Sequence, residues 1–137
     1  MDRNIFYDEL SDWLSTITTR PGNFGELPDN NPNLPYFVLY SVNSPVGEGS
    51  WRDPEDDRDL VVQVTCVGRS AKQANWMSDA AKKAMVGRDA TGKYQYPMTN
   101  VEGGTVLWRT SDSLGSVDKS GDRLFQVVDT YRIRVAE

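Results

Sequence analysis

A chain of 137 residues has room for one domain with its own apolar core and not for two. Hydrophobic residues (38%) supply that core, and 26% charged residues with a mean hydropathy of -0.57 give it a polar surface. Histidine is absent, which excludes Ser-His-Asp triads, Cys-His pairs and imidazole zinc sites, and the net charge of -5 argues against a protein that binds nucleic acid by neutralising phosphates.

Phe6, Leu10, Trp13, Leu14 and Ile17 recur at helical spacing and predict an amphipathic helix over residues 4–18, stopped by Arg20-Pro21-Gly22. Its polar face carries Asp2, Asp8, Glu9 and Asp12 and no lysine stripe, so the helix is expected to pack on a core instead of lying on anionic lipid. No run of about eighteen apolar residues occurs and the N-terminus is acidic, so neither a membrane span nor a secretory signal is expected. Residues 23–35, rich in Pro, Asn and Gly, read as an irregular connection around a sheet edge.

Tyr36–Val42 is predicted as the first strand and residues 60–67 as a second, antiparallel to it. Between them, residues 43–59 hold six acids against Arg52 and Arg58, a local charge of -4, with Trp51 in the middle. A connection this long is uncommon in a small domain unless it binds something, and a lone large aromatic on a polar loop suits a partner's pocket or its own core equally. The acids lack the glycine and glutamate spacing of a calcium loop, so a solvated charged loop is expected and no metal site.

On the second strand Leu60, Val62, Val64 and Cys66 share one face, and Val61, Gln63, Thr65 and Val67 the other. Cys66 therefore reads as a buried structural thiol. Gly68 and Arg69 turn the chain, Ser70 and Gln73 form a capping box, and Ala74, Met77, Ala81, Ala84 and Met85 mark the inner face of a helix that stops at Gly87. The run from Gly87 to Lys93 matches a phosphate-loop pattern. It has Tyr94 where a Ser or Thr is needed and follows a helix, so no nucleotide site is expected.

Residues 88–104 read as mostly irregular, with Tyr94, Tyr96 and Pro97 in a short edge segment, 105–110 as a short strand, 111–122 as a polar hairpin loop and 123–135 as a long final strand. On that strand Phe125, Val127, Tyr131, Ile133 and Val135 share a face with Asp129, opposite Gln126, Thr130, Arg132 and Arg134. One wet face suits a sheet that borders a channel. Asp129 needs a partner, either an arginine across a subunit boundary or water at an exposed strand end. Arg132 and Arg134 are expected either to meet acids of a neighbouring copy or to be solvated. The fold class is α+β: one domain over 1–137, a mixed or antiparallel sheet of four or five strands, and two helices on one face.

The segment VQVTCVGRSAKQANWMSDAAKKAMVG, residues 62–87, resembles the tail terminator (tail completion) proteins of long-tailed bacteriophages, particularly those of actinobacteria. The likeness rests on a strand ending in a V-x-S/T-x-G pattern followed by a helix with a Q-A-x-W-like segment, here Gln73, Ala74 and Trp76, and more loosely on the order of elements. It implies a structural virion protein at the tail-neck junction, made in the bacterial host cytoplasm, with no enzyme activity, cofactor or catalytic residue. Copies would form a ring, usually of six, that caps the tail tube, ends its elongation and joins it to head-completion proteins. The major tail tube protein, neck adaptors and further copies of itself are the expected partners. Double-stranded DNA would pass the lumen unbound, and no membrane would be involved. Candidate interface residues are Trp51, Arg52, Asp53, Asp56 and Asp57 in the acidic loop, Asp112 and Lys119 in the hairpin loop, and Arg132 and Arg134 on the last strand. The alternatives are a neck adaptor on the portal side and a small ligand-binding or enzymatic domain using Tyr94, Tyr96 and Trp108.

Overall fold

The computed structural model describes residues 3–26, 33–42, 58–98, 105–119 and 124–136. Helix α1 is Arg3–Thr18, followed by strands β1, Gly22–Phe24, β2, Tyr36–Val42, and β3, Arg58–Gly68. Helix α2 spans Ala71–Val86, and β4, Thr105–Ser113, β5, Asp118–Lys119, and β6, Phe125–Ala136, complete the order. Both helices and the four longer strands, β2, β3, β4 and β6, stand where the sequence periodicity predicts them.

Six strands form one mixed sheet in the order β1-β2-β3-β6-β4, with β5 paired to the start of β6. The β1–β2 pair is parallel and the other pairs are antiparallel. The two strands beyond the expected four or five are the short ones. β1 has only three residues, but its segment is tied to β2 from Phe37 N–H to the Pro21 carbonyl (3.1 Å) and from Gly25 N–H to the Leu39 carbonyl (2.7 Å). Gly22 is required there, because a Cβ would overlap the Phe37 ring.

The polar hairpin loop expected over 111–122 is a correction: residues 111–113 extend β4, and Asp118–Lys119 form β5. β6 supplies the reason, since twelve residues of an already paired strand present backbone groups that polar side chains do not prevent from pairing. The edge segment expected around Tyr94 is a tight turn with a single bridge between Arg88 and Tyr94.

The core lies between the helices and one sheet face. Phe6, Leu10 and Leu14 from α1 and Ala74, Met77, Ala81 and Met85 from α2 pack on Phe37, Leu39, Val62, Val64, Tyr131 and Ile133. Alanines on α2 bring the helix axis close to the sheet. Gly68 sets the approach, because a Cβ there would stand 2.5 Å from the Ala74 amide nitrogen. Ser70 Oγ accepts the Gln73 amide at 3.1 Å, while Gln73 Oε1 accepts the Arg69 amide at 2.6 Å, one residue earlier than in the usual capping box. At the other end Gly87 stops α2 in extended backbone and not in a left-handed turn.

Candidate assembly interface

Three strands place a charged cluster on the sheet face opposite the helices. Register sets Asp59 on β3 opposite Arg134 on β6, and Arg134 opposite Trp108 on β4. Side chains directly opposite on adjacent strands are near enough to touch. Arg134 Nε and Nη2 donate to Asp59 Oδ1 and Oδ2 at 2.7 and 2.9 Å, a two-pronged pairing, and the guanidinium carbon lies 5.3 Å from the Trp108 ring centre. Arg132 reaches the same carboxylate at 3.9 Å and Asp112 at 3.7 Å. The hydrogen bonds from Arg134 hold the Asp59 carboxyl below the usual carboxylate range. Partial burial opposes them, and the charges of Arg134 and Arg132 add to them.

Arg132 and Arg134 therefore meet acids of their own chain, an outcome that neither a neighbouring copy nor water had anticipated. Asp59 belongs to the acidic run in sequence but to β3 in space, which is why it was missed as a site residue. Its position opposite Arg134 follows from counting along the antiparallel pair, a signal that needs the register first. Lys119 does not join the cluster: it is exposed and pairs with Phe125 at the far end of β6. Asp112 does join it, from a strand and not from a loop. Trp51, Arg52, Asp53, Asp56 and Asp57 lie outside the described residues.

Asp129 finds its partners inside the chain, which corrects both expectations for it. It is buried at 1% exposure. Its Oδ2 accepts from Ser78 Oγ on α2 at 2.6 Å and its Oδ1 from the Gly115 amide at 2.9 Å. A Cβ on Gly115 would lie 2.3 Å from the Val128 carbonyl, so the close pass of this segment requires glycine. Burial, with the Asp129 charge as a lesser cause, pushes the Cys66 thiol far above its ordinary value, leaving it protonated and unreactive. Tyr131, fully buried beside them, is raised for the same reasons, and its hydroxyl has no hydrogen-bond partner among the described residues.

A second arrangement sits at the β4 edge. Tyr94 uses one hydroxyl to satisfy both backbone groups of Arg109, accepting from its amide and donating to its carbonyl, each at 2.7 Å. The Arg109 guanidinium is buried 4.1 Å from the Tyr94 ring centre and 5.4 Å from that of Trp13. It donates to the Tyr96 carbonyl at 3.0 Å and to the Ala84 carbonyl near the end of α2 at 3.4 Å. Burial lowers its pKa, Tyr94 opposing, yet an arginine remains charged throughout the range in which proteins stay folded. Beside it opens a cavity of about 310 Å³, with Lys93, Tyr94, Met98, Val106, Leu107 and Arg109 in its lining. Of the aromatics considered for a small-molecule pocket, Tyr94 lines this cavity, while Trp108 faces the other side of the sheet under Arg134. Among the described residues no group of three or more acids or thiols is placed to hold a metal ion.

No protein-family model matches the sequence, and no curated protein matches it either. Solved structures do share the fold. A chain of the virion of a native gene transfer agent particle overlays 90% of this chain and 84% of its own length with a TM-score of 0.60 at 12% identity. A second solved chain overlays 100% of this chain and 97% of its own with a TM-score of 0.57 at 15% identity. At these identities the likeness shows the α+β fold and its topology.

Proposed function

We propose that this chain is a structural virion protein that forms a ring, of six copies by resemblance, on the last layer of a phage-type tail tube, ends tube elongation and joins the tail to head-completion proteins. The observation that carries this reading is the overlay of nine-tenths of the chain on a component of a virion particle, together with the terminator-like passage at residues 62–87. One line is backbone geometry and the other residue pattern.

In this reading α2 and the sheet edges meet neighbouring copies. Trp76, 51% exposed on the outer side of α2, is an apolar contact available for that purpose. The acidic segment 43–57 reaches the axial partners. The clustered arginines on the open sheet face are already neutralised by Asp59 and Asp112, so that face has little attraction for DNA phosphates and suits a passage through which DNA slides. Heterologous contacts of this kind close into rings when the rotation between copies permits.

Native mass spectrometry and negative-stain imaging of the protein, alone and with the matching tail-tube protein, test the reading. Closed rings near sixfold mass, or rings capping short tubes, are expected. A protein that stays monomeric and ignores tubes, but binds a portal-side ring, would replace the tail terminator with a neck adaptor.

A further inference from the structure

The cavity at the β4 edge has a chemistry that the ring reading does not require. Arg109 is 3% exposed, its Nε atom has no hydrogen-bond partner, and no ion pair joins it to an acid among the described residues. Among the described residues the buried guanidinium is held by carbonyls and aromatic rings alone, an arrangement short of negative charge. Lys93 adds a second cation to the lining, and among the described residues no acid lines the cavity. Its remaining walls are apolar: Met98 and Val106 are buried or partly buried, and Leu107 stands 46% exposed at the rim. The volume is near the lower end of the range for small-molecule sites and suits one large side chain. Such a site selects an occupant that is at once bulky, apolar and flanked by carboxylates.

We infer that the cavity receives the acidic segment 48–57 of a second copy of this chain, with Trp51 as the side chain that enters and its neighbouring carboxylates facing Lys93 and Arg109. The chain's excess negative charge is concentrated in this segment, and Trp51 is its only aromatic residue. Charge complementarity thus selects the chain's own segment as the occupant. A large aromatic entering a desolvated pocket is the usual form of an interface anchor. The inference rests on the ring reading only in taking the donor from another copy, since a head-to-tail contact uses two different surfaces of each copy.

The test places a benzophenone amino acid at the rim (Leu107→p-benzoylphenylalanine) in the full chain, mixes light and nitrogen-15-labelled protein, and irradiates it alone and on tail tubes. Mixed-isotope cross-links ending within residues 43–59 are expected in at least one condition. Their yield should fall tenfold or more with Trp51→Ala or Lys93→Glu, while circular dichroism confirms that the exposed Lys93 site leaves the fold intact. Cross-links within single chains only, mixed links ending elsewhere, or no links in either condition would overturn the inference. Ring formation is scored on the same grids. Rings without the cross-link remove this contact alone, whereas the cross-link without rings retains the contact and removes the terminator reading.

Discussion

Ser78 on the second helix and Asp129 in the middle of the longest strand are 51 residues apart in sequence and share a 2.6 Å hydrogen bond in the interior. With the Gly115 amide on its other oxygen, Asp129 ties α2, β6 and the segment after β4 into one polar junction beneath an apolar face. Removing one donor leaves a buried carboxylate oxygen unsatisfied, which costs about 1–3 kcal/mol. Ser78→Ala should therefore lower the urea midpoint by that equivalent, and Ser78→Ala/Asp129→Asn should lose less than the sum of the single changes. Additive losses in the double-mutant cycle would show that the two groups are not coupled.

Asp59 sets an acid limit on stability. Its pKa in the folded state lies below the unfolded value of about 3.9. The pairing with Arg134 therefore stabilises fully above that value and is lost as pH falls through the folded one. Asp59→Asn should be about 1 kcal/mol less stable than the parent at pH 7, with the gap closing toward pH 2. Denaturant titrations at pH 7, 4 and 2 check the trend. A gap that persists at pH 2 would assign the loss to packing and not to charge.

Tyr94 protects the outer edge of β4 with a single hydroxyl, so Tyr94→Phe should leave the Arg109 amide and carbonyl unpaired. A loss of about 1–3 kcal/mol is expected, together with faster hydrogen exchange at the Arg109 amide and, because exposed edges recruit other strands, more self-association. Unchanged exchange at that amide would contradict the role given to the hydroxyl.

Helix α1 ends through Thr19 in the left-handed region, at a φ of 57°. A β-branched residue is strained there and glycine is not. Thr19→Gly should raise the thermal midpoint, by roughly 1 kcal/mol of added stability, whereas Gly68→Ala, which places a Cβ against the backbone of α2, should lower it. The two substitutions, opposite in direction and in predicted effect, are compared in one calorimetric series.

Local periodicity is what made most of the fold legible. The spacing of Phe6, Leu10 and Leu14, the alternation from Leu60 to Cys66, and the Ser70-Gln73 cap each depend on neighbours within a few residues, and each stands where it was expected. β1 and β5 escaped because three- and two-residue strands carry no period to read, and their pairing is decided by the partner strand. The charged cluster on the open sheet face was half visible. Arg132 and Arg134 announced a charged face, but Asp59 and Asp112 became their partners only through the register of three strands. Arg109 was illegible for a related reason: an arginine in a polar strand pattern reads as solvated, and only the distant Trp13, Tyr94 and Tyr96 bury it.

β6 lies between β3 and β4, and it carries Tyr131, the largest fully buried side chain among the described residues. Until residues 125–136 have been synthesised, β3 and β4 have no common neighbour, and α2 covers a sheet whose central position is empty. A ribosome-bound fragment ending near residue 120 therefore has no closed sheet to form.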